Sequence, residues 1–100
     1  MVRHELKILP EFFRDLISER KTFEIRKNDR DYHIGDVLRL KEWDPINQRF
    51  TGKMCDRMVT YILHGGQYGI EEGYCIMSFE WLGAIKVRTI EVSGNKFLRR

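Results

Sequence analysis

Lys21, Glu24 and Arg26 bring together, within six positions, the side-chain types needed to bind or activate a polar ligand. A lysine beside a carboxylate and a guanidinium can hold an anionic or amide-bearing group. A lysine that is shielded from water, or that lies next to another cation, can also lose its proton near neutrality and act as a base. Further cations follow at Lys27 and Arg30. The alternative is a solvated strand face whose charges pair across a sheet.

The stretch that carries these residues alternates with the period of a β-strand from Thr22 onward. Phe23 and Ile25 fall on one face, and we expect that face to belong to the core. Glu24 and Arg26 fall on the other face with Thr22. Because charged groups are costly to bury unpaired, this polar face is expected to be solvated or to line a cleft.

Composition and size indicate one ordinary globular domain. The chain has 100 residues, of which 42% are hydrophobic and 33% charged. We expect a single domain over residues 1–100, with a core from about residue 3 to 92 and a C-terminal tail from about 93 to 100. The sequence has neither an apolar run of membrane-spanning length nor a secretory apolar segment, so a cytoplasmic protein without a membrane partner is expected.

The charge balance and the two cysteines limit the classes of partner. A net charge of +3 permits nucleic acid as a partner without requiring it. Cys55 and Cys75 are too few for a disulfide framework and lack the paired spacing of a zinc site. We therefore predict packed free thiols, no metal and no cofactor. The sequence does not predict an oligomeric state.

The first half of the chain predicts a strand, a helix and the strand of the charged cluster. His4 to Ile8 alternate as a strand. Pro10 suits the first turn of a helix, because its missing N–H would have no partner there. The helix is expected to end near Ser18 to Arg20. Its predicted core stripe consists of Phe12, Phe13, Leu16 and Ile17.

The second half predicts strands separated by turns. The predicted strands are Val37–Trp43, Phe50–Leu63, Tyr74–Leu82 and Ile85–Val92, with a hairpin turn at Asp44–Gln48. A strand as long as Phe50–Leu63 is expected to bend, often with a bulge. The predicted fold class is α+β: a small, mostly antiparallel β-barrel with one main helix after the first strand.

A glycine-rich loop is the second candidate site. His64 to Gly73 contains four glycines in ten residues. Gly65 and Gly66 could expose backbone N–H groups to a phosphate, although the segment matches no phosphate-binding fingerprint and a flexible connection is the alternative. We expect His64 to serve as a contact rather than a catalyst. Tyr68 is the first candidate for stacking on a base, followed by Tyr32, Trp43 and Tyr74.

The charged cluster also resembles the signature of the ASCH superfamily, whose members are small relatives of PUA-like β-barrels. The signature Gly-x-Lys-x-x-Glu-x-Arg falls on Glu19, Lys21, Glu24 and Arg26, and only the glycine is replaced. Further segments are similar to an ASCH-type subfamily of unassigned function that phages and bacteria often carry, and the similarity covers roughly residues 3 to 80. These segments are His4–Lys7, Phe23–Arg30, Gly35–Leu38, Tyr61–Gly66 and Gly73–Met77.

The resemblance implies a fold, a site and a ligand class. It implies a PUA-like barrel whose mouth holds the signature residues, and an RNA or nucleotide-like ligand. The resulting ligand-binding set is Lys21, Glu24, Arg26, Lys27, Arg30, His64, Gly65, Gly66 and Tyr68. Glu19 stands where the family glycine would end the helix in a left-handed conformation, which would cost a glutamate on the order of 1 kcal/mol.

Two other functions stay open. One ASCH branch is similar to N4-acetylcytidine amidohydrolases, in which the position of Glu24 is a threonine nucleophile supported by the lysine at the position of Lys21. Here a carboxylate replaces that hydroxyl, and Thr22 would lie about 7 Å along the strand. If the protein is an enzyme, Lys21 and Glu24 are the candidate catalytic residues. The third hypothesis is an adaptor that binds another protein and has no small ligand.

Overall fold

The computed structural model of the protein describes residues 2–81. These residues form β1 (Arg3–Ile8), α1 (Pro10–Ile17), β2 (Phe23–Lys27), β3 (Val37–Asp44), β4 (Arg49–His64) and β5 (Tyr74–Trp81). The predicted strand Ile85–Val92 and the predicted tail lie outside the described residues. No helix between residues 2 and 81 combines the length and the apolar character needed to cross a membrane.

The five strands form one sheet in the order β1-β3-β4-β5-β2. β1 and β3 are parallel, and the other neighbouring strands are antiparallel. The predicted class, α+β with a mostly antiparallel sheet and a helix after the first strand, is therefore confirmed. β4 also contains the expected irregularity, a register shift between Val59 and Tyr61. Within residues 2–81, the sheet curls into a half-barrel whose two edge strands are β1 and β2.

The core lies on the concave face of the sheet. β1 shows the cleanest alternation, with Leu6 and Ile8 buried and the intervening residues exposed. Leu38 and Leu40 of β3 are fully buried beside them. The other buried apolar residues of the cluster are Phe13, Leu16, Tyr32, Val59, Cys75, Met77 and Phe79.

The helix buries a narrower stripe than its sequence predicts. Phe13 and Leu16 are buried, but Phe12 is 43% exposed and Ile17 is 47% exposed. At 3.6 residues per turn, Phe12 and Ile17 each lie about 70° from the centre of the buried stripe, on opposite sides. Because this eight-residue helix packs against one sheet, only the side chains at the centre of its apolar face are buried.

The end of α1 explains how Glu19 replaces a glycine. Glu19 has a φ of 64°, in the left-handed region. Its N–H donates to the carbonyl of Leu16 at 3.1 Å, and the N–H of Arg20 donates to that of Asp15 at 3.0 Å. These two bonds are the Schellman pattern that ends many helices. Of the two possibilities, a left-handed Glu19 or a different turn, the structure has the left-handed Glu19, and the chain then continues through Lys21 to β2.

Candidate ligand-binding groove

β2 is inverted relative to the sequence prediction. Glu24 is only 5% exposed, whereas Phe23 is 42% and Ile25 is 54% exposed. The prediction that Phe23 and Ile25 belong to the core is therefore wrong. Glu24 is paired in register with Met77 of β5, which is fully buried on the concave face. A carboxylate can occupy this inward position only because cations compensate its charge.

Two cations meet on the two oxygens of the Glu24 carboxylate. The ammonium of Lys21 donates to Oε1, and Nε of Arg26 donates to Oε2 at 2.8 Å. Lys21 Nζ also donates to the carbonyl of Phe23 at 2.6 Å. The structure thus brings together the three residues that the sequence singled out, with a net charge of +1. Only 15% of the Lys21 side chain and 25% of the Arg26 side chain are exposed.

Side chains rather than a β-ladder bridge the open side of the half-barrel. Arg26 Nη2 donates to the carbonyl of Lys7 at 2.5 Å, and Arg30 Nη1 donates to the carbonyl of Glu5 at 2.9 Å. We call the bridged boundary between β1 and residues 26–32 the seam. It continues where the ring of Tyr32 meets the ring of His4 edge-on, with centroids 4.8 Å apart. Arg30 therefore lies in the seam, where its hydrogen bond links it to β1.

A groove of about 490 Å³ opens beside the seam. Its volume lies within the range of small-molecule sites, roughly 300–1,000 Å³. Four cations and a single carboxylate contribute to it, so its local charge is positive. The lining residues are Lys7, Ile8, Leu9, Phe12, Lys21, Phe23, Glu24, Ile25, Arg26 and Lys27. The groove contains the predicted ligand residues Lys21, Glu24, Arg26 and Lys27.

Two half-exposed phenylalanines give the groove an aromatic side. Lys21 Nζ lies 5.7 Å from the ring centroid of Phe12 and 5.1 Å from that of Phe23. The sequence prediction placed both rings in the core, whereas both line the groove. The available signal was the position of Phe12 at the margin of the helical stripe. No pattern in β2 indicated that Phe23 would face outward, because alternation does not say which face is buried.

The glycine loop does not contribute to the groove. The N–H of Gly65 donates to the carbonyl of Tyr74 at 2.8 Å, and the N–H of Gly66 donates to that of Ile70 at 2.7 Å. Both amides that could have cradled a phosphate are therefore already bonded, one to the start of β5 and one within the loop. His64, Gly65, Gly66 and Tyr68 do not line the groove. His64 is exposed at the end of β4, and Tyr68 is 85% exposed.

The remaining stacking candidates lie in other environments. Tyr32 is 4% exposed, and burial raises the pKa of its hydroxyl, although Arg26 and Arg30 oppose that shift. It is part of the core, and the suggestion that it stacks on a base is wrong. The ammonium of Lys7 lies over the ring of Trp43, 3.8 Å from the ring centroid. Tyr74 is partly buried at the start of β5.

A buried histidine–aspartate pair anchors the far end of the seam, and sequence reasoning did not find it. His4 Nε2 lies 2.8 Å from Asp36 Oδ2, and both residues are less than one tenth exposed. Burial alone would raise the pKa of Asp36. Hydrogen bonds from His4 and from the N–H groups of His33 and Val2 outweigh that effect and hold the pKa below its usual range. His4 was hidden as one polar residue in an alternating strand.

Arg57 is the second residue that sequence reasoning missed. It is 4% exposed and donates to the carbonyl of Leu16 at 3.1 Å, at the negative end of α1. Its guanidinium carbon lies 4.8 Å from the ring centroid of Trp81. Arg57 thus links the C-terminal end of α1 to β4 and stabilises the turn that leads to Lys21. The only signal in the sequence was a single arginine in an otherwise apolar half-strand.

The cysteines are free thiols, as predicted. Cys75 is fully buried, and burial raises the pKa of its thiol. Burial likewise raises the pKa of the Cys55 thiol, which is partly exposed. Among residues 2–81, no group of three or more histidine, cysteine, aspartate and glutamate side chains is arranged to hold a metal ion.

Comparison with known proteins assigns a family. The model of DUF3850, a domain of unknown function, matches residues 3–79. The chain belongs to this family. A relative is the "Uncharacterized 12.9 kDa protein in GpA 3'region" of Escherichia phage P2, which is 37% identical over 57 residues. That match covers 57% of this chain and 50% of the phage protein, so the chain aligns with half of that relative. The DUF3850 match includes β1 to β4, most of β5 and every residue of the groove.

Proposed function

We propose that this DUF3850 domain binds a nucleotide unit, either free or within single-stranded RNA, in the groove beside the seam. The observation that carries the proposal is the buried carboxylate of Glu24. It holds two cations, Lys21 and Arg26, in a groove that also presents two half-exposed phenylalanine rings beside the Lys21 ammonium. Cations beside aromatic faces are the usual means of binding an unpaired nucleotide.

The cations of the groove retain donors for a phosphate. Lys21 uses its ammonium on Phe23 and Glu24, which leaves one of its three N–H groups. Arg26 uses Nε and Nη2, so Nη1 remains available. Lys7 and Lys27 add two further positive charges to the lining. Phosphate contacts of this kind position a ligand without selecting a base.

Glu24 is the group that would read the base. Each of its oxygens accepts one bond from a cation and has a second lone pair for another donor. An exocyclic amine of a base supplies such a donor. Because Glu24 is 5% exposed, only a base inserted deep into the groove would reach it. The phenylalanine rings would contribute about 1–3 kcal/mol of stacking for each base.

We also propose that the fold is PUA-like and that the ASCH resemblance reflects common ancestry. A curled, mostly antiparallel sheet and one helix after the first strand support this proposal. So does the arrangement of the signature residues beside the open side of the sheet. A solved DUF3850 structure that superimposes on a PUA-like barrel would test it.

The experiment is an NMR titration of the uniformly labelled protein. The probes are the four nucleoside 5′-monophosphates and a single-stranded RNA of mixed sequence. We expect amide shifts in residues 20–27 and at Lys7 that weaken as salt increases. Lys21→Met and Glu24→Gln should weaken binding at least tenfold. Arg49→Ala, which removes an exposed positive charge of the β3–β4 hairpin that does not line the groove, should leave the binding affinity nearly unchanged.

Two results would contradict nucleotide binding. The first is the absence of salt-dependent shifts with every probe, which would favour the protein-adaptor hypothesis. The second is equal weakening by Arg49→Ala and Lys21→Met, since that would indicate a diffuse charge effect. The protein must be shown to be folded in each variant by its amide spectrum.

The amidohydrolase hypothesis has less support from the groove. None of the residues that line it carries a hydroxyl or thiol. Thr22 lines another cavity, of about 70 Å³, to which Lys21, Arg57 and Glu80 also contribute. A hydrolytic reaction would therefore need Glu24 to activate a water molecule. Release of cytidine from N4-acetylcytidine by the native protein, and its loss in Glu24→Gln, would reinstate the hypothesis.

A further inference from the structure

A second depression adjoins the groove on the far side of the two phenylalanines. It has a volume of about 370 Å³ and is lined by Phe12, Asp15, Arg20, Lys21 and Phe23. We call it the side depression. Three of its residues, Phe12, Lys21 and Phe23, also line the groove. The two spaces are therefore neighbouring compartments that share a ridge made of two aromatic rings and one ammonium.

The two compartments repeat the same chemistry. Each is large enough by itself for a small ligand. Each has access to both phenylalanines and to Lys21, and each has a cation of its own, Arg26 in the groove and Arg20 in the side depression. Among residues 2–81, Asp15 is the only acidic residue that lines the side depression, and with Arg20 and Lys21 it gives these lining residues a net charge of +1. Arg20 directly precedes Lys21 in the sequence, yet it does not line the groove.

We propose that the two compartments hold two consecutive unpaired nucleotides of one RNA strand. The inference rests on the proposed function of the groove and extends it from a nucleotide unit to a polymer. The first base inserts toward Glu24, and the second occupies the side depression. The strand crosses the ridge at Lys21, and Arg20 contacts the phosphate of the second nucleotide.

The local backbone supports this role for Arg20. The turn that ends α1 holds the N–H groups of Arg20 and Lys21 on one acceptor, the carbonyl of Asp15, at 3.0 Å each. Consecutive residues in a fixed turn project their side chains in different directions. Lys21 accordingly reaches Glu24, whereas the Arg20 side chain lies in the side depression and is exposed to solvent.

The test compares binding of two lengths of the same nucleotide. The probes are the four nucleoside 5′-monophosphates and the 5′-phosphorylated dinucleotides pApA, pCpC, pGpG and pUpU, measured by calorimetry. For the preferred base, we expect the dinucleotide to bind at least tenfold more tightly. Arg20→Ala should reduce its affinity to that of the monophosphate and leave monophosphate binding unchanged. Arg49→Ala is the matched control and should change neither affinity by more than twofold.

The outcomes separate this inference from the proposed function. Monophosphate binding without a gain from the second nucleotide overturns the inference and leaves the groove proposal standing. A gain that survives in Arg20→Ala also overturns it, because the second nucleotide would then bind elsewhere. If no probe of either length binds, both proposals fail together.

Discussion

The guanidinium of Arg26 holds the main-chain carbonyl of Lys7 at 2.5 Å across the open side of the sheet. The two residues belong to β2 and β1, the strands at opposite edges of the sheet. The same guanidinium also donates to Glu24. One side chain therefore closes the half-barrel and neutralises the buried carboxylate of the groove. The site and the stability of the fold depend on the same arginine.

Arg26→Ala should destabilise the protein by about 2–3 kcal/mol. The substitution removes two hydrogen bonds from a charged donor and leaves Glu24 buried with Lys21 as its remaining cation. Urea denaturation at neutral pH measures the change. Arg26→Lys keeps the charge but lacks the planar fork, so it should recover only part of the loss. A loss no greater than that of Arg49→Ala would contradict this account of the seam.

Glu19→Gly should stabilise the protein by up to about 1 kcal/mol. Glycine adopts the left-handed conformation without the steric cost that glutamate bears at a φ of 64°. Part of that gain is offset by the greater freedom of glycine in the unfolded chain. Glu19→Ala keeps the steric cost and should give no gain. The free energy of unfolding from urea melts distinguishes the two variants, and a destabilised Glu19→Gly would refute the explanation.

Asp36 should make the fold sensitive to acid. Its pKa in the folded protein lies below its ordinary value, so the unfolded chain takes up a proton first as the pH falls. The stability that Asp36 contributes is complete at neutral pH. It declines once the pH drops below about 4, the ordinary aspartate value, and is lost below the native pKa.

Asp36→Asn tests this acid sensitivity. The variant should be less stable than the native protein at pH 7, because it loses the carboxylate that accepts hydrogen bonds from His4, His33 and Val2. It should also show a shallower decline between pH 5 and pH 2 in a series of urea melts. The free energy of unfolding of the variant should still decline somewhat with falling pH, because a hydrogen bond from Arg39 lowers the pKa of Asp56 as well. Parallel curves for the native protein and the variant would contradict the role assigned to Asp36.

The two thiols should react with a disulfide reagent in sequence. Cys55 is partly exposed, whereas Cys75 is fully buried, and burial raises the pKa of both. At pH 8 we expect one slow reaction of the native protein and a second only after urea is added. Cys55→Ser should abolish the first reaction and spare the second. Rapid modification of both thiols without denaturant would show that the core around Cys75 opens readily.

Gly65→Ala should destabilise the loop after β4 by about 1–3 kcal/mol. An added Cβ would lie 2.0 Å from the carbonyl oxygen of Glu71 and 2.8 Å from that of Tyr74, so backbone atoms would have to move. Gly69→Ala is the control, since its Cβ would meet no atom within 4 Å and only its positive φ opposes alanine. Thermal melts should show the larger loss for Gly65→Ala, and the reverse order would contradict the packing described here.

Local patterns in the sequence predicted most of the elements. Pro10 marks the start of α1, and the alternation of Leu38 and Leu40 with charged residues marks β3, as found. The bulge in β4 follows from its length, because a strand that long cannot cross a small curled sheet without a change of register. These features depend on residues that are close together in the sequence, so a single sequence is enough to predict them.

The orientation of β2 could not be predicted in the same way. Alternation divides Phe23 and Ile25 from Glu24 and Arg26, and hydrophobicity then favours the wrong face as core. Glu24 faces inward because Lys21, Arg26 and the distant Lys7 carbonyl form one network. The free energy of such a network depends on contacts between strands at opposite edges of the sheet. The alternation of residues within a single strand carries no information about these contacts.

The order of the strands also limits how wide the groove can become. β1 and β2 are consecutive in the chain yet form the two edges of the sheet, so residues 9–22 span the gap between them. Most of that span is α1, whose eight residues give it a length of about 12 Å. The helix therefore acts as a spacer of fixed length between the edges. Lengthening or shortening it by one turn should therefore change the distance between the two edges and the width of the groove, even with every lining residue unchanged.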